Sequence, residues 1–217
     1  MFSSASAVLH SPSAHKRLGL DSLPATNNIH GVTNTIRMKI KSAKILSTAE
    51  KKKEIYLLSL VIDDVSNNPF SLNALALNNI SCNEEIPLGE TGLEIYSNDN
   101  GIIPGYIHFR VCVMESNLPD RDFQKLLTKI MKQTELAQYA GMLNSVTPNA
   151  VADLKIFTQV AEQTLQFMGK IIKSEKDIQL LQVIGSYDNA FDALGYKYGL
   201  TELGNKNAAI KMAVEVS

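Results

Sequence analysis

The sequence predicts an α+β fold, an antiparallel β-sandwich with an inserted antiparallel helical hairpin at about residues 119–174. Three observations lead there. Apolar residues alternate with a period of two along several stretches between Ile36 and Met114, and again towards the C-terminus, as they do in half-buried strands. Between these blocks the period becomes helical, and Asn144 to Asn149, with Pro148, divide it into two apolar stripes joined by a short connection. Strands near each other in sequence tend to share a sheet, so one sandwich carrying an insertion is simpler than the alternative, a separate C-terminal helical domain.

Residues 1–35 are rich in Ser, Asn, Ala and His and show no sustained period, so they are expected to form a flexible N-terminal arm that cannot fold alone. The sandwich takes residues 36–217. In I-R-M-K-I-K, Arg37, Lys39 and Lys41 alternate with Met38 and Ile40, the pattern of a strand with one face in water. The charged turn Ala49 to Lys53 separates it from E-I-Y-L-L-S-L-V-I-D-D, Glu54 to Asp64, which reads as a largely buried strand ended by Asn67, Asn68 and Pro69. Leu72 to Ile80 is apolar at mixed spacing, with strand preferred. Gly89 and Gly92 bracket a turn before the short strand Gly92 to Tyr96, and S-N-D-N-G leads through Pro104 and Gly105 into a long strand, Tyr106 to Met114.

The helical stripes follow. Phe123, Leu126, Leu127 and Ile130 fit the i, i+3, i+4, i+7 spacing, as do Val151, Leu154, Phe157, Val160, Ala161, Leu165, Met168, Ile171 and Ile172 in a second run. The seam between two antiparallel helices is the simplest use for both. Ile178 to Ile184 reads as strand, with continuation of the helix left open, and Ala208 to Val216 closes the chain as a strand.

The bulk numbers exclude several classes. A chain of 217 residues fits one enlarged domain or two small ones, and 45% hydrophobic with 20% charged residues is ordinary for a soluble globular protein. No apolar run approaches the roughly 18 residues of a membrane span, and the N-terminus has no continuous apolar core of a signal peptide. A cytoplasmic location, or one within a macromolecular assembly, is expected. The net charge of -1 argues against a nucleic-acid partner, which a clearly basic domain would bind. Cys82 and Cys112 are too few for a disulfide framework and lack metal-ligand spacing, so both read as small buried hydrophobes.

No catalytic signature stands out. There is no G-x-S-x-G, P-loop, G-x-G-x-x-G or H-E-x-x-H, so no cofactor is expected and the enzyme reading is reduced to a reaction of unrecognised class. His10, His15 and His30 lie in the arm. His108 stands alone within a strand, where a structural role is the simpler reading.

The stretch V-C-V-M-E-S-N-L-P-D-R-D-F, Val111 to Phe123, ends a strand in an acidic turn. Calcium needs several oxygen ligands converging at about 2.5 Å, and loops at one end of a sandwich can supply them from distant sequence positions. This stretch resembles the calcium loop of C2-like β-sandwiches, a resemblance that covers roughly Ile36 to Phe123 together with the last strand. The resemblance implies a peripheral module for anionic membranes, with Glu115 at the first acidic loop position. Asn117 stands where the family carries an acid, and E-I-Y at Glu54 to Tyr56 stands in place of its Asp-Pro-Tyr. A calcium set would be Asp63, Asp64, Asp99, Glu115 and Asp120. Helix capping needs no metal: Asn117 or Asp120 serves as an N-cap, Pro119 suits a helix entrance, and Asp120 and Asp122 oppose the positive end of the helix dipole. Capping is the preferred reading, and no metal site is assigned.

Charge is segregated along the chain. Arg37, Lys39, Lys41, Lys44, Lys51, Lys52 and Lys53 give the first strands a basic face, while Glu84, Glu85, Glu90, Glu94, Asp99, Glu115, Asp120 and Asp122 make residues 83–122 acidic. Opposed patches can register contacts between copies of a protein. The expectation is a non-enzymatic structural or interaction protein that assembles with itself or a larger complex through its arm and these patches. Arg37, Lys39, Lys41, Lys51, Lys52 and Lys53 are its interaction residues. The alternative is the C2-like membrane module, which would use the same basic face on anionic lipid.

Overall fold

The computed structural model describes residues 7–8, 35–47, 54–66, 70–77, 80–98, 101–116, 177–188 and 200–216, with separate positions between 122 and 170, of which 159–164 are continuous. Ten strands are described: β1 (Ala7–Val8), β2 (Ile36–Ile45), β3 (Ile55–Asp63), β4 (Phe70–Leu77), β5 (Glu85–Pro87), β6 (Leu93–Asn98), β7 (Tyr106–Glu115), β8 (Ile178–Asp188), β9 (Thr201–Gly204) and β10 (Ala208–Val216). They form two sheets. The first runs β1-β8-β7-β3-β4, and the second runs β5-β2-β10-β9 with β6 also on β2. All pairs are antiparallel except β1 on β8, which is parallel. The chain closes on itself, since Val216 at the end of β10 pairs with Ile36 at the start of β2.

The inner faces of the two sheets form the main core. β2 contributes Ile36, Met38, Ile40, Ala43 and Ile45, β3 contributes Ile55, Leu57 and Val61, and β7 contributes Ile107, Phe109, Val111 and Val113. Each fully buried Leu or Ile is worth ~1.5 to 3 kcal/mol, so this layer supplies most of the drive to fold. The alternation in β2 is broken once: Lys211 pairs with Ser42 and Met212 with Ile40, so Lys41 is an extra residue, and the bulge keeps Ala43 and Ile45 pointing inward. A second irregularity skips Ile95 in β6, between the pairs Met38 with Tyr96 and Lys39 with Glu94.

β3 is buried along its whole length, which explains its unbroken apolar sequence. Tyr56, Leu58, Leu60 and Ile62 face away from the sandwich, and with Phe70, Cys112 and Met114 they form a second core on the outer face of the first sheet. Leu126, Val160 and Ala161 cover that face, with Tyr139 and Phe167 packed beside them at a ring separation of 6.4 Å.

No helical hairpin is found among the described residues, which corrects the prediction. The one continuous helix among the described residues, α1, runs through 159–164, and the described chain is mostly strand in two sheets. An apolar stripe with helical spacing reports that one side is buried but not what buries it. Here Val160 and Ala161 pack on the sheet rather than only on a partner helix. The fold is therefore a β-sandwich with an outer layer on one sheet. The open question at residues 178–184 resolves as strand, since β8 pairs with β7 from Ile178 to Asp188. Of the expected strand Leu72 to Ile80, residues 72–77 are strand, within β4 from Phe70 to Leu77; residues 78–79 lie outside the described residues and Ile80 is not strand.

Candidate functional site

The basic face of β2 is where the sequence places the interaction residues. Lys39, Lys41 and Arg37 do share the outer face of the second sheet, but strand pairing brings acids beside them. Glu215 of β10 takes Lys39 Nζ at 2.8 Å and Lys41 Nζ at 2.6 Å. Those ammonium groups, Lys39 first, hold its carboxyl below the usual range. Lys41 Nζ also donates to the Thr91 carbonyl at 2.8 Å. Arg37 lies 3.8 Å from Glu94 of β6. Beside them Lys211 binds both oxygens of Glu85 at 2.7 and 2.9 Å, and Ser42 Oγ donates to Glu85 at 2.6 Å. The two patches opposed in sequence thus meet inside one molecule, because β5 and β6 carry their acids onto β2. Lys51, Lys52 and Lys53 lie outside the described residues.

Of the carboxylates in the calcium reading, Asp63, Asp64 and Glu115 are described, and the first two lie at the opposite end of the β3–β7 ladder from the third. Asp63 is buried and caps its own turn, accepting hydrogen bonds from Val65 N at 2.8 Å, Ser66 N at 2.6 Å and Ser66 Oγ at 2.6 Å. The Asp64 carboxylate accepts from Tyr106 N at 3.2 Å and sits where a Cβ on Gly105 would approach it to 2.7 Å. Burial raises the Asp64 carboxyl above its ordinary range. Glu115 is at the far end of the same ladder: Asp63 pairs with Ile107, and Glu115 pairs with Ile55. At about 3.3 Å per residue the backbones at those ends are on the order of 26 Å apart. Asp63 and Glu115 do not share an ion. Asp99 and Asp120 lie outside the described residues, and among the described ones no group of three or more His, Cys, Asp or Glu could hold a metal. Asp122, expected only to face the helix dipole, accepts from Lys125 N at 3.0 Å, while the expected N-caps Asn117 and Asp120 lie outside the described residues.

A buried polar row lies under the outer layer. His108, Arg110 and Cys112 alternate along β7 on the face away from the sandwich, and Arg110 Nη2 donates to Gln182 of β8. A Cβ on Gly169 would lie 2.5 Å from Arg110 Nη1, so the glycine lets the outer layer rest on the guanidinium. Burial lowers His108 to about 4 and pushes the Cys112 thiol up, with Arg110 opposing the latter shift. A neutral imidazole and a protonated thiol in such a place suit packing better than acid–base or nucleophilic work. The sequence predicts burial for both cysteines; Cys112 is buried, whereas Cys82 is exposed in the turn before β5.

The feature that sequence reasoning missed is an apolar groove. It lies at the side of the sandwich where β4, the last strand of the first sheet, faces β5 and β6. Its volume is about 470 Å³, and Leu75, Leu77, Ile86, Leu88 and Leu93 line it together with Glu94. The signal was visible only as scattered leucines that read equally well as core. Among the described residues no helix is long and apolar enough to cross a membrane.

No protein-family model matches this chain, and no curated protein matches it. The two sheets are those of a sandwich, and nothing in them identifies a C2-like fold.

Proposed function

We propose that the chain is a non-enzymatic structural or interaction protein that assembles with itself or a larger complex by strand addition from its N-terminal arm. The parallel seat of β1 on the β8 edge carries this reading: Ala7 pairs with Val183 and Val8 with Ile184. Residues 9–35 separate that strand from β2. At ~3.4 Å per extended residue they can span on the order of 90 Å, enough to reach the β8 edge of a neighbouring copy as well as its own. A contact between an arm and an edge joins two unlike surfaces, so repeated copies give rings or filaments, and a reciprocal exchange gives a closed dimer.

The opposed charge patches lend this assembly less than their sequence suggests, because Glu85 and Glu215 already answer Lys211, Lys39 and Lys41 within one chain. The same pairing weakens the membrane alternative. The non-enzymatic part rests on three buried polar residues, Asp63, Arg110 and Gln182, whose side chains are engaged by a turn or a neighbouring strand.

Sedimentation velocity on the full chain and on a chain lacking residues 1–35 tests the reading. The full chain is expected to associate with rising concentration and the shortened one to remain monomeric. Equal sedimentation of the two, with partner binding unchanged, would sink it.

A further inference from the structure

The side of the sandwich opposite β8 ends on β4, and there the two sheets part. Along the first half of β4, Ser71 Oγ and Asn73 Nδ2 donate to the Ile95 carbonyl at 2.8 and 2.9 Å. Ile95 is the residue skipped in the β2–β6 register, so its carbonyl is available to them. These two side chains stitch β4 to β6. Further along, at Leu75 and Leu77, the sheets separate into the apolar groove floored by Ile86, Leu88 and Leu93.

We propose that this groove receives an extended apolar peptide segment with a basic residue at one end, added to β4 as a further strand. Three observations select that occupant. Among the described strands β4 pairs only with β3, so its other edge carries no ladder to a described strand. Its sequence, F-S-L-N-A-L-A-L, contains neither charge nor proline, the usual devices that deter strand addition. Among the described residues that line the groove Glu94 is the one carboxylate, and its pairing with Arg37 is long, at 3.8 Å, with side-chain exposures of 43% and 44%. An added strand points every second side chain inward, so alternate apolar residues of the peptide would meet Leu75 and Leu77 while a basic end meets Glu94. This edge is distinct from the β8 edge, so the proposal does not depend on the arm.

Fluorescence anisotropy with a labelled peptide, Arg-Val-Thr-Val-Thr-Val-Thr, tests it on the full chain. Binding in the micromolar range is expected, with at least tenfold loss when a central Val of the peptide is replaced by Pro. Glu94→Lys, an exposed change, should weaken the Arg-ended peptide and strengthen one that begins with Glu. Leu75→Asp should abolish both, and deletion of residues 1–35 should leave both unchanged. A folded wild-type chain that binds neither peptide, or a Glu94→Lys chain with no reversal of preference, overturns the assignment. Concentration-dependent dimerisation removed by Leu75→Asp, without peptide binding, would give the groove to a second copy and also overturn it.

Discussion

Phe109 and Gly185 face each other directly across the β7–β8 ladder, and a Cβ on the glycine would lie 2.4 Å from Phe109 Cζ. The ring fills the space that the missing side chain leaves, and stacks on Tyr187 at 5.6 Å. Gly185→Val should therefore lower unfolding free energy by about 1 to 3 kcal/mol, the usual cost of overpacking, while Phe109→Leu made with it should recover part of the loss. Urea titration of the two variants reads the difference. His108 makes a second test at this scale. Its folded value is about 4 against 6.5 for the free group. The unfolded chain then binds more protons between those values, so stability is intact above pH 6.5 and falls as pH drops towards 4. The loss sets in below pH 6.5 and is on the order of 3 kcal/mol when complete. His108→Gln should flatten that part of the urea-midpoint profile; an unchanged slope would remove His108 as its source. The sequence showed His108 alone in a strand, and that was enough to suggest a structural role. It could not show the Gly185 contact, which depends on a register fixed between residues far apart in the chain.

At the scale of elements, β2 shows where alternation informs and where it stops. The period of I-R-M-K-I-K correctly separates Met38 and Ile40, both in the core, from Arg37, Lys39 and Lys41. It says nothing about lateral neighbours. Glu215 lies 174 residues from Lys41, and only the β2–β10 register makes them partners. Likewise the helical spacing of the 151–172 stripe identified Val160 and Ala161 as buried, yet the partner turned out to be the first sheet. Neutralisation by Glu215 gives a prediction at this scale. Glu215→Gln leaves Lys39 and Lys41 without that carboxylate. Because the pair is part-exposed, the stability cost should stay below about 1 kcal/mol. Binding to anionic vesicles should rise, and that gain should vanish at high salt. Vesicle co-sedimentation at low and high salt is the measurement, and equal binding by wild type and variant would show that Glu215 does not mask the lysines.

For the whole molecule, the decisive element is β3, because it belongs to two cores at once. Leu57 points into the sandwich and Leu58 into the outer cluster, and both are at most 1% exposed. The unbroken apolar run of Glu54 to Asp64 was legible as a largely buried strand, but a sandwich alone gives a strand one buried face, so the second face required the outer layer that sequence spacing had assigned to a self-contained hairpin. If the strand couples the layers, removing either side chain weakens the same cooperative unit. Leu57→Ala and Leu58→Ala should each cost about 2 to 5 kcal/mol in a single unfolding transition, since each leaves a cavity in a closed core. Should the outer layer be an independent unit, Leu58→Ala would instead split the transition or shift only a minor early phase, leaving the main one in place. Denaturation followed by near-ultraviolet and far-ultraviolet circular dichroism separates the cases: coincident curves for both variants mean one unit of three layers, and displaced curves for Leu58→Ala alone mean a sandwich that stands without its cover.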